Sequence, residues 1–211
     1  MKKKIVDAGR LLYKQGMIAG TEGNISVRLD DDRIMITPSG LPKGRLSEEE
    51  IVIVDIRGKH LQGTQKASSE VAMHLFVYQN RPEIKACIHS HAPYATSFAV
   101  AGINLPNNFL PEIVVFIGDI PLTRYAAPGT DEVPRSLEPS IEKSNAFLLQ
   151  NHGLLTIGNS LDEAFHRHEM VEHYARIVHL AKQLGNVNNI PSEDFKRLER
   201  IRQKLDNTWN S

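Results

Sequence analysis

The 211-residue chain has one cysteine, no excess of charge of either sign and no apolar run approaching the length of a membrane span. A lone cysteine, Cys87, forms no internal disulfide and suits a reducing cytoplasm. The 25 basic and 25 acidic residues cancel. No global field is therefore present to hold nucleic acid or an anionic membrane, and any anion must be bound locally. Crossing a bilayer as a helix takes about 20 apolar residues, and the N-terminus (Met1-Lys2-Lys3-Lys4-Ile5-Val6-Asp7) meets charge before a signal-type apolar region can form. Against a typical domain of roughly 150 residues, the length predicts one domain over 1–211, with a C-terminal helix at about 192–206 as an appendage. What the chain does carry in quantity is histidine, nine in all.

Ile5, Val6, Ala8, Leu11, Leu12 and Met17 recur at helical spacing and predict a first helix over 3–17, stopped by Gly20. Residues 24–29 and 33–37 alternate around Asp30-Asp31-Asp32, the pattern of a β-hairpin. Residues 51–55 read as a short buried strand. Residues 69–78 are helical in pattern, with Ser68 or Ser69 as cap. Residues 86–91 read as a strand, and Pro93 opens a helix to about Ala101. Residues 113–116 and 120–122 are further strand candidates, and strands at 146–150 and 154–157 flank Asn151-His152-Gly153. A long helix spans 161–184 and a charged one 193–205. Helices interleaved with strands and hairpins predict an α/β domain whose sheet is mixed, mostly antiparallel.

His89 and His91 end a strand and, at i and i+2, share one face. A surface strand also carries such pairs, but His152 between two strands offers a third imidazole. Three histidines with an open position are the pattern of a catalytic metal site. Zn2+, Mn2+, Co2+ and Fe2+ all suit such donors. Glu70 opens a helix, where a carboxylate favours the macrodipole and is also available to a metal. Ser68 and Ser69 are helix caps or an anion site. Thr21-Glu22-Gly23-Asn24 and Thr37-Pro38-Ser39-Gly40 are ordinary turns singly. Together with the serines they form a phosphate cradle that needs no arginine. His166, His168, His173 and His179 lie on the long helix without i, i+4 pairing and read as surface or interface residues. His60 reads as solvated, His74 as packing beside Glu70 or facing its site, and Cys87 as a small core residue.

In this order, Gly20-Thr21-Glu22-Gly23-Asn24-Ile25-Ser26, Ile36-Thr37-Pro38-Ser39-Gly40, Ser68-Ser69-Glu70, His89-Ser90-His91 and Gln150-Asn151-His152-Gly153 resemble the class II aldolase/adducin family from about Leu11 to Ala175. The resemblance implies a three-layer α/β/α fold, a zinc ion, and a homotetramer with active sites at subunit interfaces. It implies a small phosphorylated sugar as substrate, cleaved to dihydroxyacetone phosphate and an aldehyde. It carries metal binding to His89, His91, His152 and Glu70, with Glu70 also the base. It carries phosphate binding to Asn24, Ser39, Gly40, Ser68 and Ser69, with Thr21 and Gly23 shaping the loop. Related epimerases have aspartate at the position of Glu70, which points to the aldolase or dehydratase branches. One departure concerns the acid that family aldolases supply as tyrosine after the histidine pair: here the chain reads Leu110-Pro111-Glu112-Ile113-Val114-Val115. Glu112 is the candidate in its place, as in methylthioribulose-1-phosphate dehydratases, whose elimination of water is the second reading. Tyr125 and Tyr174 are further acid candidates that also read as packing residues, and the tail offers Trp209. A non-catalytic adducin-like module is the alternative from another class.

Overall fold

The computed structural model describes residues 1–209, with side chains to residue 205. Seven strands form one sheet: β1 (Asn24–Arg28), β2 (Arg33–Ile36), β3 (Val52–Asp55), β4 (His60–Gln62), β5 (Ala86–Ser90), β6 (Ala146–Leu149) and β7 (Gly153–Gly158). Their spatial order is β4-β3-β2-β1-β5-β7-β6. Every pairing between these strands is antiparallel. The mostly antiparallel sheet expected from the sequence is antiparallel in all of these pairings, with one isolated parallel bridge, Leu122 to Leu148.

Helices cover both faces, giving the expected three layers. On one face α1 (Lys2–Lys14), α3 (Pro93–Ala101), α4 (Pro111–Phe116) and α6 (Leu161–Leu184) bury a core with Ile25, Val27, Ala86 and Ile88. On the other, α2 (Val71–Asn80) and α5 (Glu132–Leu137) pack Met73, Val77, Val133 and Leu137 with Cys87, Phe147 and Leu155. Covered on both sides, β1 and β5 are buried at all five positions. Strand alternation therefore sends Ile25, Val27, Ala86 and Ile88 to one core and leaves Asn24, Ser26, Cys87 and His89 facing α2. The final helix, α7 (Ser192–Trp209), lies against α4.

Several sequence expectations change. Residues 113–116 are helical: Pro111 sits at the first turn, and Ile113, Val114 and Ile117 bury one helical stripe that an alternating reading misassigns. Residues 120–122 make the single bridge at Leu122 and no strand. The first helix ends at Lys14, before Gly16 in the left-handed region (φ 73°) and short of Gly20. Strand β4 and helix α5 have no counterpart in the sequence reading; both are short, and β4 is exposed at every position. His168 is fully buried. Its helix is packed against β5 and β7, so its polar ring is satisfied inside the core by Ser90 Oγ (2.6 Å) and Thr156 Oγ1 (2.9 Å). Tyr125 is 58% exposed and so is no packing residue, whereas Tyr174 is buried and donates to the Pro106 carbonyl. No helix among the described residues is long and apolar enough to cross a membrane.

Gly9 marks the closest approach of α1 to the short 3-10 turn Lys43–Arg45: a Cβ there would lie 2.6 Å from the Lys43 carbonyl oxygen. Glycine-to-alanine ordinarily stabilises a helix by about 1 kcal/mol; here the clash, about 1–3 kcal/mol as overpacking, outweighs it. Gly9→Ala is expected to lower the midpoint of thermal unfolding by a few degrees, and an unchanged or raised midpoint would refute the close approach.

Candidate metal centre

The register of the central strands assembles the site. Pairing sets Asn24 of β1 opposite His89 of β5, and Ser90 opposite Leu154 of β7. The end of β5, the start of β1 and the turn before β7 therefore meet at one edge of the sheet, next to the N-terminus of α2. The β6–β7 turn reaches this edge through Asn151, the one non-glycine residue with positive φ (55°) among the described residues. Gly153 follows because a Cβ at that position would stand 2.5 Å from the Ser90 carbonyl oxygen. His152 is thereby placed against the His89-Ser90-His91 strand end.

The three rings pack edge to face, with centroids 5.4 Å (His89–His91), 4.6 Å (His89–His152) and 5.4 Å (His91–His152) apart. One nitrogen from each lies within 4.8 Å of the others. Two of the rings have fixed tautomers. His89 Nδ1 donates to the Leu154 carbonyl at 3.0 Å. His91 Nδ1 lies 2.6 Å from Glu22 Oε2, while Glu22 Oε1 accepts from the Ala19 N–H at 2.7 Å. Both rings keep Nε2 free of carbonyl partners, the arrangement by which a carbonyl or carboxylate orients a ligating imidazole.

Glu70 faces this cluster. Its Oε2 lies 3.4 Å from His89 Nε2, and its Oε1 lies 2.9 Å from His152 Nε2. Helix α2 starts at Val71, so Glu70 occupies the N-cap position, and Ser68 Oγ accepts its backbone N–H at 3.3 Å. The carboxylate is held from behind by a hydrogen-bonded chain whose direction is set at its end. Ionised Glu70 only accepts, so Asn24 Nδ2 donates to Oε2 at 2.8 Å. Asn24 Oδ1 then accepts from His74 Nε2, Nδ1 of that ring accepts from Ser26 Oγ at 2.6 Å, and Ser26 Oγ accepts from the Tyr78 hydroxyl at 2.6 Å. His74 thus packs and also supports the site. Burial pushes the Glu70 carboxyl up, but His152 and the Asn24 hydrogen bond hold it below the usual carboxylate range, and His89 adds to this only in its protonated form. Burial lowers His89 to about 3 despite the Glu70 charge, so its Nε2 presents a lone pair.

His89 Nε2 and Glu70 Oε1 are both buried, and neither has a hydrogen bond of good geometry. Two such orphaned groups among three imidazoles are what a cation would satisfy, and a donor set of three imidazoles and one carboxylate suits a borderline divalent ion. The residues present fit a metal.

Thr21, Gly23, Asn24, Ser39, Gly40, Ser68 and Ser69 line one cavity of about 530 Å3 together with Glu70, His91 and His152. The turns are joined by backbone bonds: Ser39 N–H to the Lys66 carbonyl (2.9 Å) and Ser68 N–H to the Thr37 carbonyl (3.2 Å). Glu112 is not brought there. It lies exposed in the first turn of α4, and neither Tyr125 nor Tyr174 lines the cavity. Trp209 lies outside the described side chains. His60, His166, His173 and His179 are exposed and take no part in the cluster, and Cys87 is a buried free thiol. Sequence reasoning missed Glu22, whose only signal was its place in the glycine turn, and Lys43, three residues past Gly40.

Fold and centre together define an α/β/α protein with an open three-histidine, one-carboxylate cluster of the kind catalytic metal sites use. Comparison with known proteins narrows this. The family described as "Class II Aldolase and Adducin N-terminal domain" matches residues 3–179. A 3-oxo-tetronate 4-phosphate decarboxylase of Haemophilus influenzae is 37% identical over 180 residues, 83% of this chain and 85% of that protein. A 5-deoxy-D-ribulose 1-phosphate aldolase of Bacillus thuringiensis is 32% identical, over 93% of this chain and 92% of its own length. The solved structure of an L-fuculose 1-phosphate aldolase superposes with a TM-score of 0.87 at 35% identity, covering 94% of each chain. The chain belongs to the class II aldolase/adducin family, within its enzymatic, lyase membership.

Burial lowers the imidazoles of His74 to about 4 and His168 to about 3. Both are neutral when folded, whereas the unfolded chain takes up their protons below about pH 6.5. Stability is therefore full above that pH and falls as pH drops toward the folded values, by up to about 1.4 kcal/mol per pH unit and per group. Urea unfolding from pH 7 to pH 5 is expected to show this loss, with a shallower slope in His168→Gln; a flat profile would contradict it.

Proposed function

We propose that this protein is a divalent-metal-dependent lyase that breaks the bond between the carbons α and β to the ketone of a phosphorylated sugar. The leading reaction is aldol cleavage of a sugar or deoxysugar 1-phosphate, such as L-fuculose 1-phosphate or 5-deoxyribulose 1-phosphate, to dihydroxyacetone phosphate and an aldehyde. The observation that carries this is the meeting, in one place, of the orphaned Glu70 and His89 atoms with three turns of small polar residues.

His89, His91, His152 and Glu70 are the residues to hold the ion, zinc or another of Mn2+, Co2+ and Fe2+. A bound divalent ion supplies Lewis acidity at the ketone oxygen as negative charge develops there. The side chains of Asn24, Ser39, Ser68 and Ser69, with the Gly40 backbone and the loop shaped by Thr21 and Gly23, bind the phosphate. That fixes the non-reacting end and so orients the ketone. Glu70, held by Asn24, takes up a proton from solvent and passes it to the carbon left negative by bond breakage. Glu112 is the acid/base for the leaving aldehyde if a second copy brings α4 to this cavity, an arrangement that a cytoplasmic homotetramer with interfacial sites supplies.

A second reading is decarboxylation of 3-oxo-tetronate 4-phosphate, the reaction named for the Haemophilus relative. It is favoured by one observation: among the described residues, no tyrosine lines this chain's cavity. Loss of carbon dioxide leaves the same enediolate of dihydroxyacetone phosphate, with no hydroxyl proton to remove from the leaving group.

Incubating the metal-loaded protein with the two ketose 1-phosphates and with 3-oxo-tetronate 4-phosphate separates the readings. Triose phosphate with an equimolar aldehyde supports the first, triose phosphate with carbon dioxide supports the second, and a diketone without triose phosphate rejects both. Glu70→Gln is expected to lower turnover by about 10²–10⁴-fold, the usual contribution of a positioned base. Metal analysis of His89→Ala is expected to show loss of the bound ion; full occupancy would remove His89 from the ligand set.

A further inference from the structure

Lys43 stands apart from every other lysine in the chain. It is 2% exposed, although it carries a long ammonium-tipped side chain. Buried lysines are rare unless paired with a carboxylate, because an unpaired buried charge is costly. Among the described residues no carboxylate lies within ion-pair distance of Lys43. Its Nζ donates instead to two backbone carbonyls, Thr21 at 2.7 Å and Leu41 at 2.9 Å. An ammonium has three donors, so among the described residues one N–H is left without a protein acceptor.

The surroundings say what that N–H faces. Lys43 lines the cavity that holds Thr21, Asn24, Ser39, Ser68 and Glu70, and it is the only lysine or arginine among the described lining residues. The two carbonyls it grips belong to the two turns that edge this cavity, one before β1 and one after β2. The backbone of the same residue is pressed against Gly9 of α1, which fixes where the side chain starts. Burial lowers the amine to about 8, opposed by the charge of Glu70, so the ammonium form persists at neutral pH.

We propose that Lys43 is an anion-binding residue of this cavity, clamping the two turns through the Thr21 and Leu41 carbonyls and giving its third N–H to the phosphate of the substrate. The proposal rests on the reading of these turns as the phosphate site. It changes that reading in one respect. A cradle of hydroxyls and backbone N–H groups becomes a cradle with one buried positive charge, which favours a dianionic phosphate over a neutral group of the same size. A charge held by two carbonyls and excluded from solvent costs no reordering when the anion arrives.

The test is binding of inorganic phosphate to the metal-loaded protein by calorimetry, in wild type, Lys43→Met and Lys43→Gln. Glutamine keeps N–H donors for a carbonyl and loses the charge. Both variants are expected to bind phosphate at least tenfold more weakly than wild type while retaining stoichiometric metal. Unchanged phosphate affinity in a variant with a lowered unfolding midpoint would overturn the proposal and leave Lys43 a structural clamp. A wild type that binds no phosphate would instead defeat the reading of the turns as a phosphate site. If neither variant folds, the 15N resonance of Lys43 Nζ in the wild-type protein decides: a shift on adding phosphate supports the contact, and no shift overturns it.

Discussion

The structure turns on a buried carboxylate that faces imidazoles. Glu70 is ionised in a setting where burial alone would neutralise it, and it remains so because Asn24 donates to one oxygen and His152 lies against the other. Asn24 can donate only if its carbonyl end is held, which His74 does. His74 can donate there only if its other nitrogen accepts, which Ser26 supplies. A single requirement, that a carboxylate accept, sets the orientation of four side chains on β1 and α2. Directed chains of this kind are costly to interrupt, because any broken link strands a buried donor or acceptor.

That chain exists because β1 and β5 lie at the centre of an antiparallel sheet covered on both faces. In a one-sided sheet the residues alternating with the core would face water and could be any polar type. Here the alternate residues of β1 on the α2 side are Asn24, Ser26 and Arg28, all buried. Each has a partner on or next to α2: Glu70 and His74, Tyr78, and the Pro82 carbonyl. The second layer of helices is therefore joined to the sheet by polar bonds along β1, alongside the packing of Met73 and Val77. The opposite face has its own buried polar link, Ser90 to His168 to Thr156, directly behind His89 and His91. The strand end that carries the histidine pair is pinned from both sides, which leaves few ways for the rings to move.

Much of this was legible in the sequence because the informative patterns are local. The His89-Ser90-His91 spacing fixes two rings on one face whatever the fold, and period-two alternation marks the β1–β2 hairpin. Family resemblance groups the seven small polar residues of three separate turns, and all seven line one cavity. The misses have physical causes. Residues 113–116 are apolar throughout, so only the burial of Ile113, Val114 and Ile117 on one stripe distinguishes helix from strand. His168 looks like its exposed neighbours His166 and His173 on the helix, and its burial depends on β5 and β7, which the local pattern of the helix does not encode. A search for basic patches passes over Lys43 because it looks for clusters, and a single buried cation is the opposite of a cluster.

The division of labour in the cavity bears on why one scaffold serves relatives named for aldol cleavage and for decarboxylation. On the proposed reading, the residues this chain supplies act on the half of the substrate that both reactions share: the phosphate, the ketone, and the carbon that becomes negative. The lining away from the turns and the metal ligands includes Thr96, Val100, Pro128 and Gly129, which offer no strong acid or base to a departing group. A site so built stabilises the common enediolate and leaves the choice of leaving group to whatever closes the remaining side. Differences in that choice then need not touch the β1–β5 register or the Glu70 chain. Changes at the open wall alter the reaction, whereas changes at Asn24, His74 or Ser26 act on the ionised carboxylate that both reactions require.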